Sequence, residues 1–189
     1  MPISDDWCER YRASVLTSMP LFFCGVIMLD VYTVAFFGHR EIEQFHEVGK
    51  ALEKLISDLL LKYEYVEFLV GRNGDFDQMV SSTVREVRNR LGSCNCSLTL
   101  VLPYMTAEFR DNEESFLSYY DEVEVCQSAS SGHFKAAMQT RNREMADRAD
   151  LGVFYVDHTS GGAYQTLKYA KRCQKPYINI SEKGAGLGL

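Results

Sequence analysis

Apolar residues return every three or four positions between Glu41 and Leu61, at Ile42, Phe45, Val48, Leu52, Leu55, Ile56 and Leu59. That spacing predicts an amphipathic helix whose striped face packs on a sheet. The same rhythm over residues 76–91, carried by Phe76, Met79, Val80, Val84, Val87 and Leu91, predicts a second helix. Around them lie short, nearly continuous apolar runs: Val31 to Phe37, Val66 to Val70, Ser97 to Leu102 (ended by Pro103) and Leu151 to Val156. Runs of that length without polar alternation are typical of strands covered on both faces. Weaker patterns predict a loop and short helix over 104–120, a strand from Asp121 to Cys126 and a polar loop from Gln127 to Gly132. They also predict helices from His133 to Arg148, with Phe134, Met138 and Met145 on one face, and from Gly162 to Lys171, then a last strand from Pro176 to Ile180. Strands alternating with helices through short turns imply right-handed βαβ crossovers and an α/β fold with a mostly parallel sheet.

Three of the strand-to-helix turns carry glycine: Gly38-His39-Arg40, Gly71-Arg72-Asn73-Gly74-Asp75-Phe76-Asp77 and Ser160-Gly161-Gly162-Ala163. Glycine lets the backbone approach a ligand closely, and the helix that follows offers unpaired N–H groups and a partial positive charge. In an open parallel sheet, ligands sit beyond the carboxyl ends of the strands, where strand order reverses. All three turns stand at such ends, so a nucleotide-like anion is the leading ligand.

Composition narrows the partners and compartment. The 189 residues are one domain by length, with a formal charge of −6 from 26 acidic and 20 basic residues. An acidic balance argues against salt-driven binding to a nucleic-acid backbone, so nucleic acid is not expected as a partner. The six cysteines (Cys8, Cys24, Cys94, Cys96, Cys126, Cys173) read as buried reduced thiols of a cytoplasmic protein. Cys94-x-Cys96 has no second Cys or His pair at ligand spacing, so neither a metal nor a cofactor is expected. The apolar stretch from Val15 to Leu29 lacks a small-residue cleavage site and is too short and interrupted for a membrane span. Residues 1–30 are either an extra helix on the domain or an upstream extension with the natural start at Met28. Residues 31–181 form the core, and residues 182–189, rich in glycine, form a loose tail.

Two sets of residues together resemble a known family. The first is Phe36-Phe37-Gly38-His39-Arg40, Gly71 with Asp77 six residues on, and Leu102-Pro103. The second is Arg141-Asn142-Arg143-Glu144-Met145-Ala146-Asp147-Arg148-Ala149-Asp150, then Gly161-Gly162 and Thr166 through Lys168-Tyr169-Ala170. Over residues 31–181 the chain is similar to the YpsA-like branch of the SLOG superfamily, which takes its name from the DNA-processing protein Smf/DprA and the LOG cytokinin-activating hydrolases. The resemblance implies a Rossmann-like three-layer sandwich and a pocket for a nucleotide or nucleotide-derived ligand. The chain departs from the pattern at Gly74, three rather than four residues after Gly71, and at Ala163, where the family commonly has threonine. No carboxylate follows the Gly161-Gly162 run as in the LOG hydrolases, which argues against a LOG-type phosphoribohydrolase.

The candidate ligand-binding residues are Gly38, His39, Arg40, Gly71, Arg72, Gly74, Asp75, Asp77, Arg141, Asn142, Asp157, Gly161, Gly162, Ala163 and Thr166. Arg40 either clamps a phosphate or pairs at the surface with Glu41 or Glu43. Asp77 either meets ribose hydroxyls, acts as a general acid or base, or supports its own helix start; it is the one catalytic candidate. Asp75 fits best as a helix cap. Arg141 and Asn142, with seven donors between them, contact ligand or tie their helix to a turn. Asp157 fits a pocket or a simple turn, and Thr166 also fits as an ordinary helix residue. His46, His133 and His158 have no partner spacing and read as surface residues; Tyr119, Tyr120 and Tyr164 are candidates to stack on a base. Three functions follow in order: sensing of a nucleotide-derived ligand by a homo-oligomer, hydrolysis or transfer at an N-glycosidic or phosphoester bond, and DNA binding.

Overall fold

The computed structural model describes residues 30–129 and 134–182. The extension up to Leu29, the end of the 127–132 loop, His133 and the tail from residue 183 lie outside the described residues. Six strands form one all-parallel sheet: β1 Val31–Gly38, β2 Tyr65–Val70, β3 Cys96–Leu102, β4 Glu122–Val125, β5 Leu151–Tyr155 and β6 Tyr177–Asn179. Their spatial order is β4-β3-β2-β1-β5-β6. The helices are α1 Phe45–Lys62, α2 Asp75–Leu91, α3 Ala107–Asp111, α4 Glu113–Tyr119, α5 Phe134–Arg148 and α6 Gly161–Arg172. This is the α/β, Rossmann-like sandwich expected from the sequence, and the described sheet is wholly parallel.

Alternation along β1 shows how the layers are held. Val34 and Phe36 point into a core shared with Val48, Leu52, Leu55 and Leu59 of α1 and Phe76, Val80 and Val84 of α2. Ala35 and Phe37 point the other way, onto Met145 and Ala146 of α5, the adjoining Ala149, and Ala163, Leu167 and Ala170 of α6. The small alanines on α5 and α6 let those helices approach the sheet closely.

Two helix expectations shift for physical reasons. α1 begins at Phe45 rather than Glu41, because the Arg40 carbonyl accepts the Asp75 N–H (2.7 Å) instead of a bond from its own first turn. Phe45, expected in the apolar stripe, is consequently 56% exposed. The 104–120 segment holds two short helices, the first capped by Thr106 Oγ1, which accepts the Phe109 N–H at 3.1 Å. Cys96 and Cys126 are buried as expected, whereas Cys94 and Cys173 are exposed.

At the amino-terminal edge of the sheet, aspartates replace missing ladder bonds. Asp150 donates its N–H to the Thr33 carbonyl and accepts the Thr33 N–H on its carboxylate, both at 2.8 Å. Asp121 does the same to Leu98, at 3.0 and 2.8 Å, and also holds Arg88. Asp121→Ala is expected to cost about 1–2 kcal/mol in a urea unfolding series, since it strands the Leu98 N–H. An unchanged midpoint would show that water replaces the carboxylate.

Candidate functional site

The chain builds β1 through β4 outward to one side, then returns to place β5 and β6 on the other, so strand order reverses between β1 and β5. Gly38 pairs with Tyr155 across that seam. The first and third glycine turns therefore leave the sheet side by side, and a crevice of about 690 Å³ opens between them.

The second turn joins this crevice by packing on the first. A Cβ on Gly74 would lie 2.5 Å from the Arg40 Cα, so only glycine allows the contact that the Asp75 N–H then fastens. Asn73 and Asp77 thereby reach the crevice wall. Asp77 accepts the Asn73 N–H at 2.8 Å. Gly71 lies buried behind them: a Cβ there would meet Arg141 Nη1 at 2.5 Å and Asp77 Oδ2 at 2.6 Å. Gly71 is thus required by two side chains that crowd its face, and it does not touch the crevice itself.

Arg141 is the most unusual group in the wall. It reaches the crevice from the middle of α5, is 4% exposed, and its Nη groups lie near the sulfurs of Met145 (3.6 Å) and Met138 (3.9 Å). Its buried Nε has no hydrogen-bond partner. Thioethers are weak acceptors, so this guanidinium keeps donors for an anion. Burial lowers its pKa against the opposing pull of Asp77. Burial likewise pushes the Asp77 carboxyl above the ordinary carboxylate range, opposed by Arg141 and the Asn73 N–H.

The third turn supplies main-chain donors. Gly161 opens α6 with φ +86°, a left-handed conformation that favours glycine. A Cβ on Gly162 would meet nothing within 4 Å. The Ser160 side chain does not cap the helix, which leaves the first-turn amides of α6 facing the crevice beside Ala163. α2 also begins without a side-chain cap. By contrast, the late start of α1 means that His39 and Arg40 are in a loop, not at a helix start.

His39, 7% exposed, lies with its Nε2 3.4 Å from Asp157 Oδ1 and its ring stacked at 3.5 Å on His158. Burial and His158 lower the His39 pKa while Asp157 opposes them. Burial works to raise the Asp157 carboxyl, but the hydrogen bond with His158 and the two imidazoles outweigh it and hold the group below its ordinary value. A second carboxylate group, Glu67, Glu122 and Glu124, is bridged by Arg148, which binds Glu67 and Glu124.

Of the expected residues, the structure brings Gly38, His39, Arg40, Asp77, Arg141 and Asn142 to the crevice, together with the α6 start. Among the described residues Arg40 makes no ion pair with Glu41 or Glu43. Gly71, Gly74, Asp75, Asp157 and Thr166 stand behind or beside the wall. Thr166 donates to the Gly162 carbonyl (2.9 Å) and accepts from Asn142 (3.3 Å), fixing the α6 turn. Arg72 faces a smaller hollow, where it binds Glu108 (2.9 Å) and lies over the Phe116 ring. Tyr120 is core, Tyr119 lies under Arg85, and Tyr164 packs on the α5–α6 layer, so none lines the crevice. The sequence reading missed Asn73, Met138, Gln139 and His158. For Asn73 the signal was its place inside the second glycine turn; for His158 no local spacing reveals a partner as distant in sequence as His39.

Among the described residues no helix is long and apolar enough to cross a membrane. No protein-family model matches the chain and no curated protein matches it. Solved structures do. DNA processing protein A (DprA) from Streptococcus pneumoniae is similar at TM-score 0.57 and 14% identity, over 78% of this chain and 49% of that one. DNA processing protein A from Helicobacter pylori, described for its single-stranded DNA binding mode, is similar at TM-score 0.55 and 12% identity, over 77% of this chain and 63% of that one. The chain thus spans about half to under two-thirds of the length of these proteins, and at such identities the likeness is one of fold. It still overturns the exclusion of nucleic acid drawn from net charge. The same fold serves single-stranded DNA in the H. pylori protein, and a charge averaged over a whole chain does not describe the field at one rim. The Rossmann-like sheet of this chain is the one found in DNA processing protein A.

Proposed function

We propose that this chain is a SLOG-type domain, of the YpsA-like branch, that binds a nucleotide or nucleotide-derived anion in the β1–β5 crevice. The reading is carried by one observation: uncapped α6 amides and the under-bonded Arg141 guanidinium face the same cavity at the point of strand reversal. Main-chain amides suit phosphate oxygens, and the guanidinium supplies the fixed positive charge. Titration calorimetry against nucleoside mono- and diphosphates and ADP-ribose tests it, with chromatography of the same samples separating binding from turnover. Gly162→Val is expected to abolish binding and to change stability by no more than about 0.5 kcal/mol, because the added methyls enter open space. Silence across the ligands, or full binding by Gly162→Val, would reject the crevice as the site.

A second reading is supported by the fold neighbours: single-stranded DNA presents the same phosphate and sugar groups in series. Fluorescence anisotropy with a labelled oligothymidylate tests this. Strand binding predicts an affinity that falls linearly with salt on logarithmic axes, with a slope of about −0.7 per phosphate contacted. A mononucleotide that binds while the oligomer does not would confine the function to small ligands.

A further inference from the structure

The geometry points to a transition-metal site at the edge of the crevice, formed by His39 Nε2, Asp157 Oδ1 and His158 Nδ1. The three residues follow closely on β1 and β5, and each brings one ligand atom within 4.8 Å of the others. Two imidazoles and a carboxylate suit zinc, cobalt or nickel, whereas magnesium and calcium prefer oxygen alone. The observation that singles out this cluster is His39. Its side chain is only 7% exposed, and Nε2 is aimed at Asp157 without a hydrogen-bond partner. A buried polar atom left in that state costs free energy that a ligated ion would recover.

One of the two measured separations already suits a tetrahedral arrangement. Metal–ligand bonds of about 2.0–2.1 Å place neighbouring ligand atoms about 3.3 Å apart. The His39–Asp157 separation of 3.4 Å already meets this. The His158–Asp157 contact of 2.5 Å has to open, and the His158 ring has to turn out of its stack on His39 for its lone pair to reach the same ion. His158 is 55% exposed, which leaves solvent-facing space for that turn. The Tyr155 hydroxyl donates to the other Asp157 oxygen at 3.3 Å, which holds Oδ1 toward the ion as outer partners of metal ligands do. His39 and His158 both line the crevice, so the fourth position opens toward it. The site stands whether or not a nucleotide binds.

Cobalt titration of the full chain, followed in the visible range, is the test. The expected result is one equivalent bound with tetrahedral d–d bands, and at least about 10-fold weaker binding in both His158→Ala and Asp157→Asn. His158→Ala replaces an exposed side chain, and its far-ultraviolet spectrum should match the wild type. Absence of binding, or an affinity unchanged in folded His158→Ala, would overturn the site. Charge-transfer bands from thiolate that persist in that variant would place the ion on cysteine and overturn it equally.

Discussion

Gly38→Ala should destabilise the domain by about 3 kcal/mol, at the upper end of the cost of one extra methyl in a packed core. The added Cβ would fall inside the Phe76 side chain, meeting the ring itself as well as its Cβ. Phe76 cannot step aside: it is fully buried and stacked on Tyr155 at 5.8 Å. The glycine that looks like a phosphate-binding residue is therefore also a packing requirement of α2. Urea unfolding of Gly38→Ala, Phe76→Ala and the double variant separates these roles. Since alanine removes the Cγ and Cδ1 atoms that the new methyl would meet most closely, the double variant should be more stable than additivity predicts by at least about 1 kcal/mol. Strict additivity would mean the backbone, not the ring, sets the requirement.

Arg141→Met should weaken nucleotide binding about 10- to 100-fold. A charge-assisted hydrogen bond contributes about 1.5–3 kcal/mol, and each 1.4 kcal/mol is a factor of ten. Methionine keeps the apolar stem against Met138 and Met145, so the loss reports on the guanidinium. Asp77 makes the same interaction pH-dependent. Its pKa lies above the ordinary carboxylate range, so as pH falls through that raised value the group loses its negative charge. The crevice then becomes more positive and anion affinity rises; as pH increases, ionised Asp77 competes for Arg141 and affinity drops. Asp77→Asn should flatten the profile at the high-affinity level, as measured by calorimetry across acid to neutral pH. A profile unchanged in Asp77→Asn would assign the titration to the ligand.

The sheet was legible because unbroken apolar runs and helical spacing are both local signals, and each expected strand and long helix stands within a few residues of its place. The three turns were legible too, since glycine after a strand is a local mark. What the sequence did not disclose is cross-chain competition. The Arg40 carbonyl is claimed by Asp75, which removes a helix start that local pattern alone would place at Glu41. Gly71 and Gly38 serve neighbouring side chains that only the fold brings near. His39 and His158 stack because β1 and β5 are adjacent, and no motif spacing encodes that adjacency. Net charge misled because a sum over residues carries no position.

The aspartate clamps on Thr33 and Leu98 sit at one rim of the sheet and the glycine turns at the other. The clamps thus contribute to endurance a strand's length away from the recognition rim, where Gly38 and Gly71 carry packing demands of their own. A library that randomises the exposed positions of the crevice rim, while leaving Asp121, Asp150, Gly38 and Gly71 untouched, should retain a high proportion of folded members. The molecule is built as a scaffold on which ligand preference can drift without loss of the fold.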